Sequence, residues 1–138
     1  MAFTNEQIDR LSSSFAFIKP RLGLIAELFE HSILDSTPNL SSHFPLDRVS
    51  FELNMLLICG HIADLDLLGD RFTEMGEELS AIGISADCYP AAREAMLRAF
   101  ASVSGYTWTQ RLQDDWSSVF NTVAAFAFNT TTSVQRAA

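Results

Sequence analysis

The residues best equipped for chemistry are one carboxylate in an apolar run, two thiols, three histidines and a set of arginines. Glu30 follows Leu28-Phe29 in a segment of helical periodicity. Turned inward, it is a carboxylate among apolar groups, a costly arrangement unless it is paired or protonated. It would then accept hydrogen bonds from N–H groups of a ligand. Turned outward, it reaches solvent or Arg21. Cys59, beside Ile58, reads as a small buried hydrophobe. Cys88 precedes Tyr89 at a helix start, which would lower its pKa, while Asp87 opposes that. It is the candidate for covalent attachment of a ligand. His31, His43 and His61 have neither i, i+4 pairing nor a Cys-x-x-Cys partner, so they do not spell a zinc site. His43 reads as a surface residue or as a rim contact to a ligand. Arg48, Arg71, Arg93 and Arg98 could grip carboxylates through forked hydrogen bonds, and equally suit an ordinary surface. Nucleophile–base pairs, phosphate-cradling glycine loops and carboxylate dyads do not stand out at motif spacing, so the expectation is a binding protein and not an enzyme.

Helices must position these groups. The chain of 138 residues is 48% apolar and 19% charged, which excludes a disordered polymer. At this length folding buries roughly 68–70% of the unfolded surface, enough for a core without disulfides. Six glycines, four prolines and little valine favour helix over sheet. Net charge −8 argues against nucleic-acid and anionic-membrane partners. There is no apolar run long enough to span a bilayer and no secretory signal at Met1–Glu6, so a cytoplasmic chain with reduced thiols is expected.

Thr4 and Gln7 have capping-box spacing, followed by Ile8, Leu11, Phe15 and Ile18 on one helical face. Pro20 suits the first turn of a second helix ending before Ser36-Thr37-Pro38. A short helix from Pro38 leads to Phe44-Pro45. Asp47 caps a long third helix with the stripe Phe51, Met55, Ile58, Ile62 and Leu65. A weaker helix spans Arg71–Ala81, Gly83 breaks it, and another carries Tyr89, Met96 and Phe100 until Gly105. Thr107 and Gln110 form a second capping box before the last helix, with Trp116, Val119 and Val123. The tail from Asn129 reads as fraying. The fold class expected is all-α, six longer helices plus one short, in a single domain spanning 1–138.

The spacing of Glu27-Leu28-Phe29 through Pro38 to Phe44-Pro45, the turn Gly83-Ile84-Ser85 into Tyr89-Pro90, and Trp116 early in the last helix resemble the globin family. The nearest likeness is to bacterial single-domain globins and the globin module of flavohaemoglobins. The resemblance implies a globin-like fold around a tetrapyrrole-shaped cavity. It also implies departures. Globins hold haem iron with a sixth-helix histidine, and Leu79 stands at that position. Glu30 replaces the distal tyrosine, Asp47 takes the polar distal position if Phe51 is its apolar partner, Tyr89 is retained, and Thr131 replaces the glutamate that usually accompanies it. Phe44, Phe51, Met55, Phe72, Met75 and Phe100 would line or close the cavity.

With iron's usual ligand missing, the resemblance points to a linear tetrapyrrole, a bilin such as biliverdin. Glu30 or Asp47 would accept pyrrole N–H bonds, Phe44 and Phe51 would stack on rings, and Arg48 would pair a propionate. Two other readings stand beside it. One is haem held by an unusual ligand such as His43, Cys88 or a methionine. The other is a sensor or adaptor that takes fatty acid or a protein. The resemblance also implies a homodimer paired through the last two helices, where Ala91, Ala92, Ala95 and Ala99 would permit close approach, although alanines are equally simple helix formers.

Overall fold

Thr4 opens the first helix as its spacing from Gln7 predicts. Its hydroxyl accepts the Gln7 N–H at 3.1 Å, and its own N–H donates to the Gln7 side chain at 2.9 Å. The computed structural model describes residues 3–36, 48–81 and 86–128. Within them the regular structure is all helical, and no helix is long and apolar enough to cross a membrane. The short helix expected from Pro38, together with Phe44, Asp47, Gly83 and the tail from Asn129, lies outside the described residues.

Helix α1 covers Asn5–Ile18 and buries Leu11 and Ile18. A 3₁₀ turn, Lys19–Arg21, accommodates Pro20 and leads into α2, Leu22–Ser36. Arg21 is engaged with Phe17: its guanidinium stacks on the ring at 4.6 Å and donates to the Phe17 carbonyl.

Helix α3 runs from Arg48 to Cys59, shorter than its apolar stripe predicts. The N–H of Gly60 donates to the Leu56 carbonyl at 2.9 Å. The His61 ring lies 2.8 Å from the Leu57 carbonyl through Nδ1. Since a carbonyl only accepts, Nδ1 carries the proton, and the imidazole caps the helix. Ile62 and Leu65 are still buried, but from a 3₁₀ stretch, Ile62–Leu68, kinked at Asp64. Apolar spacing alone does not register such a break, because both segments keep their apolar residues inward.

Helix α4, Gly69–Ala81, starts two residues earlier than expected. It packs against α6, which covers Gln110–Ala127. Gly76 makes that crossing close: a Cβ there would collide with the Ala127 carbonyl oxygen. Helix α5, Tyr89–Ser104, carries Pro90 in its first turn and stops at Gly105, whose φ of +59° suits glycine. The expected Thr107–Gln110 capping box is not formed. Thr107 donates back to the Ser104 carbonyl at 2.8 Å, and Thr109 caps α6 by accepting the Leu112 N–H at 3.1 Å.

The deepest core joins α1, α2, α5 and α6. Phe100 meets Trp116 edge-on at 4.9 Å and Phe120 at 5.6 Å. Trp116 donates to the Ser14 hydroxyl at 3.0 Å, and the buried carboxylate of Asp115 takes both Nε and Nη2 of Arg10, at 2.7 and 3.2 Å. These bonds fix α1 on α6 and satisfy polar groups that burial would otherwise strand. Ala95 and Ala99, expected to face a second copy, are buried within the single chain.

Candidate functional site

Where α3, α4, α5 and α6 face one another, the side chains do not close up. They leave a cavity of about 470 Å³. Ligand pockets span about 300–1,000 Å³ and are mostly apolar, and this cavity fits both descriptions. Phe29 of α2 and Phe51 of α3 form one wall, stacked 6.0 Å apart at 24°. Met55, Met75 and Met96, all of the chain's methionines except Met1, line it from three helices. Thioethers fill irregular gaps and give way to a ligand more readily than branched side chains. Phe120 and Val123 supply the α6 side. The cavity reaches solvent past Leu53 and Glu78, both exposed.

Polar groups occupy two edges. At one, Arg71 of α4 donates to Asn54 Oδ1 of α3 at 3.1 Å and pairs with Glu74 at 3.5 Å. At the other, the Tyr89 hydroxyl donates to Asn121 Oδ1 at 2.7 Å, and Arg93 Nη1 approaches the same oxygen at 3.2 Å. The Arg93 guanidinium lies 5.6 Å from the Tyr89 ring centre. Burial pushes the Tyr89 phenol up to about 12, partly offset by the Arg93 charge, so the hydroxyl is a neutral donor at physiological pH.

Seven of the residues singled out from the sequence come together here: Phe51, Met55, Met75, Leu79 and Tyr89, with Arg71 and Arg93. Phe72 and Phe100 are instead packed solidly in the core, and Arg98 is exposed elsewhere. Glu30 is half-buried on α2 and is not among the lining residues. Its neighbour Phe29 takes that place, and successive helical residues point about 100° apart. Cys88 is half-buried at the margin of the core in the turn before α5, and it too lies off the cavity wall. Arg48 starts α3, but its side chain, like Phe44 and Asp47, lies outside the described residues. Burial pushes the Cys59 thiol up, which makes it unreactive as a nucleophile.

Sequence reasoning missed Phe29, Asn54, Glu78, Met96, Phe120 and Asn121 as site residues. Phe120 carries a signal, since it sits one turn before the predicted Val123. The two asparagines carry none, because their role depends on which arginine each one meets.

The wall offers no imidazole among the described residues. His31 and His61 are exposed, and the His61 ring is hydrogen-bonded to the Leu57 carbonyl at the end of α3. Among the described residues no group of three or more His, Cys, Asp or Glu could hold a metal ion. No protein-family model and no curated protein matches the chain.

Proposed function

We propose that this chain is a globin-like binding protein whose cavity holds a linear tetrapyrrole, as chromophore carrier or sensor. The carrying observation is an apolar cavity of about 470 Å³ with Leu79 on its wall, where the globin resemblance expects the iron ligand. A flat, largely apolar ligand suits the stacked Phe29–Phe51 pair and the methionine-rich wall. A metal-free tetrapyrrole presents N–H groups, and Glu78 and Asn54 are acceptors on the same cavity. They take over the role that the sequence reading gave to Glu30. Haem would need an axial donor, and the soft donors lining the described wall are the thioethers of Met55, Met75 and Met96. The reading is of binding and not of catalysis.

The test is an absorption titration of the purified chain with biliverdin and, in parallel, with hemin. A saturable red-region band with biliverdin, perturbed by Glu78→Gln, is the expected result. A sharp Soret band with hemin, lost in a methionine variant, would replace this reading with haem bound through sulfur. Saturable binding of neither pigment would overturn the tetrapyrrole reading altogether.

A further inference from the structure

We propose that Arg93, helped by Tyr89, is a carboxylate-binding subsite at the α5–α6 edge of the cavity. The inference rests on reading the cavity as a ligand site, and it specifies the ligand as an apolar acid. Arg93 lines the cavity, and its Nε is shielded from solvent without a hydrogen-bond partner among the described residues. A buried charged N–H left unpaired is among the costlier defects a fold can carry. The nearest carboxylate, Glu94, stands 3.5 Å from Nε, close enough for ion pairing but outside hydrogen-bond geometry. On the other side of the guanidinium, Nη1 shares Asn121 Oδ1 with the Tyr89 hydroxyl, so two donors draw on one acceptor. The two lone pairs of that oxygen serve both donors, so the unmet donor of the cluster is Arg93 Nε.

A carboxylate supplies the missing acceptor. One oxygen can accept from Nε and the adjacent Nη2 along the guanidinium's forked edge. The Tyr89 hydroxyl, held as a neutral donor, can turn from Asn121 to the second oxygen without bringing a negative charge of its own. The acid's apolar body then lies along Met96, Phe120 and Val123, which line the same cavity. The propionate of a bilin and the head group of a fatty acid share this chemistry. Glu78, also on the wall, is the carboxylate that a second acidic group would have to avoid.

The experiment compares acids with their esters on the intact chain: biliverdin with its dimethyl ester, and palmitate with methyl palmitate, by equilibrium titration. A charge-assisted hydrogen bond predicts that acids bind at least about tenfold more tightly than esters. Arg93→Gln should abolish that preference, Arg93→Lys should restore part of it, and Arg98→Gln should leave it intact. If Arg93→Gln fails to fold by circular dichroism, Tyr89→Phe decides, through a severalfold fall in the acid-to-ester ratio. Equal binding of acid and ester by the unaltered chain, or a preference that survives in folded Arg93→Gln and in Tyr89→Phe, overturns the subsite. Biliverdin and its ester binding alike would keep the tetrapyrrole reading and sink the subsite. Palmitate preferred over its ester, with no biliverdin binding, would do the reverse.

Discussion

Two regions of this chain solve the packing problem differently. Where α1, α2, α5 and α6 meet, Leu11, Ile18, Ile25, Phe100 and Trp116 are fully buried, and the Asp115 carboxylate and the Trp116 indole N–H are hydrogen-bonded. Where α3 faces α4, the helices enclose space, and α3 leaves Val49 68% and Leu53 61% exposed. The first region is a close-packed interior, in which each lost contact is felt. In the second, the side chains on the cavity wall face open space on one side and forgo part of their packing there. That is the usual bargain at a binding site, where a ligand must find room. Close packing and open space thus fall largely to different helices, with α2, α5 and α6 belonging to both.

The sharpest way to break this division is at the joint between the regions. Gly76 lets α4 cross α6 closely, and a Cβ there runs into the backbone of Ala127, which cannot move aside as a side chain would. Gly76→Ala should therefore cost more than about 4 kcal/mol, in the exceptional range for one substitution, and should collapse or open the cavity. Chemical denaturation measures the loss, and ligand titration follows the cavity. A near-neutral result would mean that the crossing is looser than the structure has it.

A matched pair tests the contrast directly. Trp116→Ala removes a fully buried indole from the packed region and should cost about 3–5 kcal/mol. Met55→Ala, on the cavity wall, enlarges a space that already exists. It should cost about 2 kcal/mol, at the low end for such truncations, because part of the methionine surface already lacks a protein neighbour. Equal costs by urea denaturation would show that the two regions pack alike.

Much of this arrangement is legible in the residues themselves. The Thr4–Gln7 box, the stop at Gly105 and the apolar faces of α1 and α6 follow from local rules that the structure obeys. Phe51 and Met55 share a helical face, and they also share the cavity. What periodicity leaves open is the rotation of a helix about its axis once several faces are apolar. On α2, a run as apolar as Leu22–Phe29 can present Phe29 or Glu30, and only packing against α3 and α5 decides. Competing caps behave in the same way. Thr107 and Thr109 are both competent, and the backbone path after Gly105 selects Thr109. The Asn121 bonds to Tyr89 and Arg93 join residues about thirty positions apart, so no local pattern announces them.

The smallest effect is expected on the outer face of α3, and it sharpens the comparison from the other end. Val49 is solvent-facing in the first turn of the helix, so Val49→Lys removes little buried surface. Lysine has the better helix propensity, and its charge is welcome on a chain of net charge −8. A cation near a helix N-terminus opposes the dipole by a comparable few tenths of a kcal/mol. The contributions nearly cancel, and the melting free energy should change by no more than about 0.5 kcal/mol. A loss well above that would mean that Val49 is covered in solution. In that case α3 would be packed on both faces, and its exposed residues would no longer distinguish the cavity region from the core.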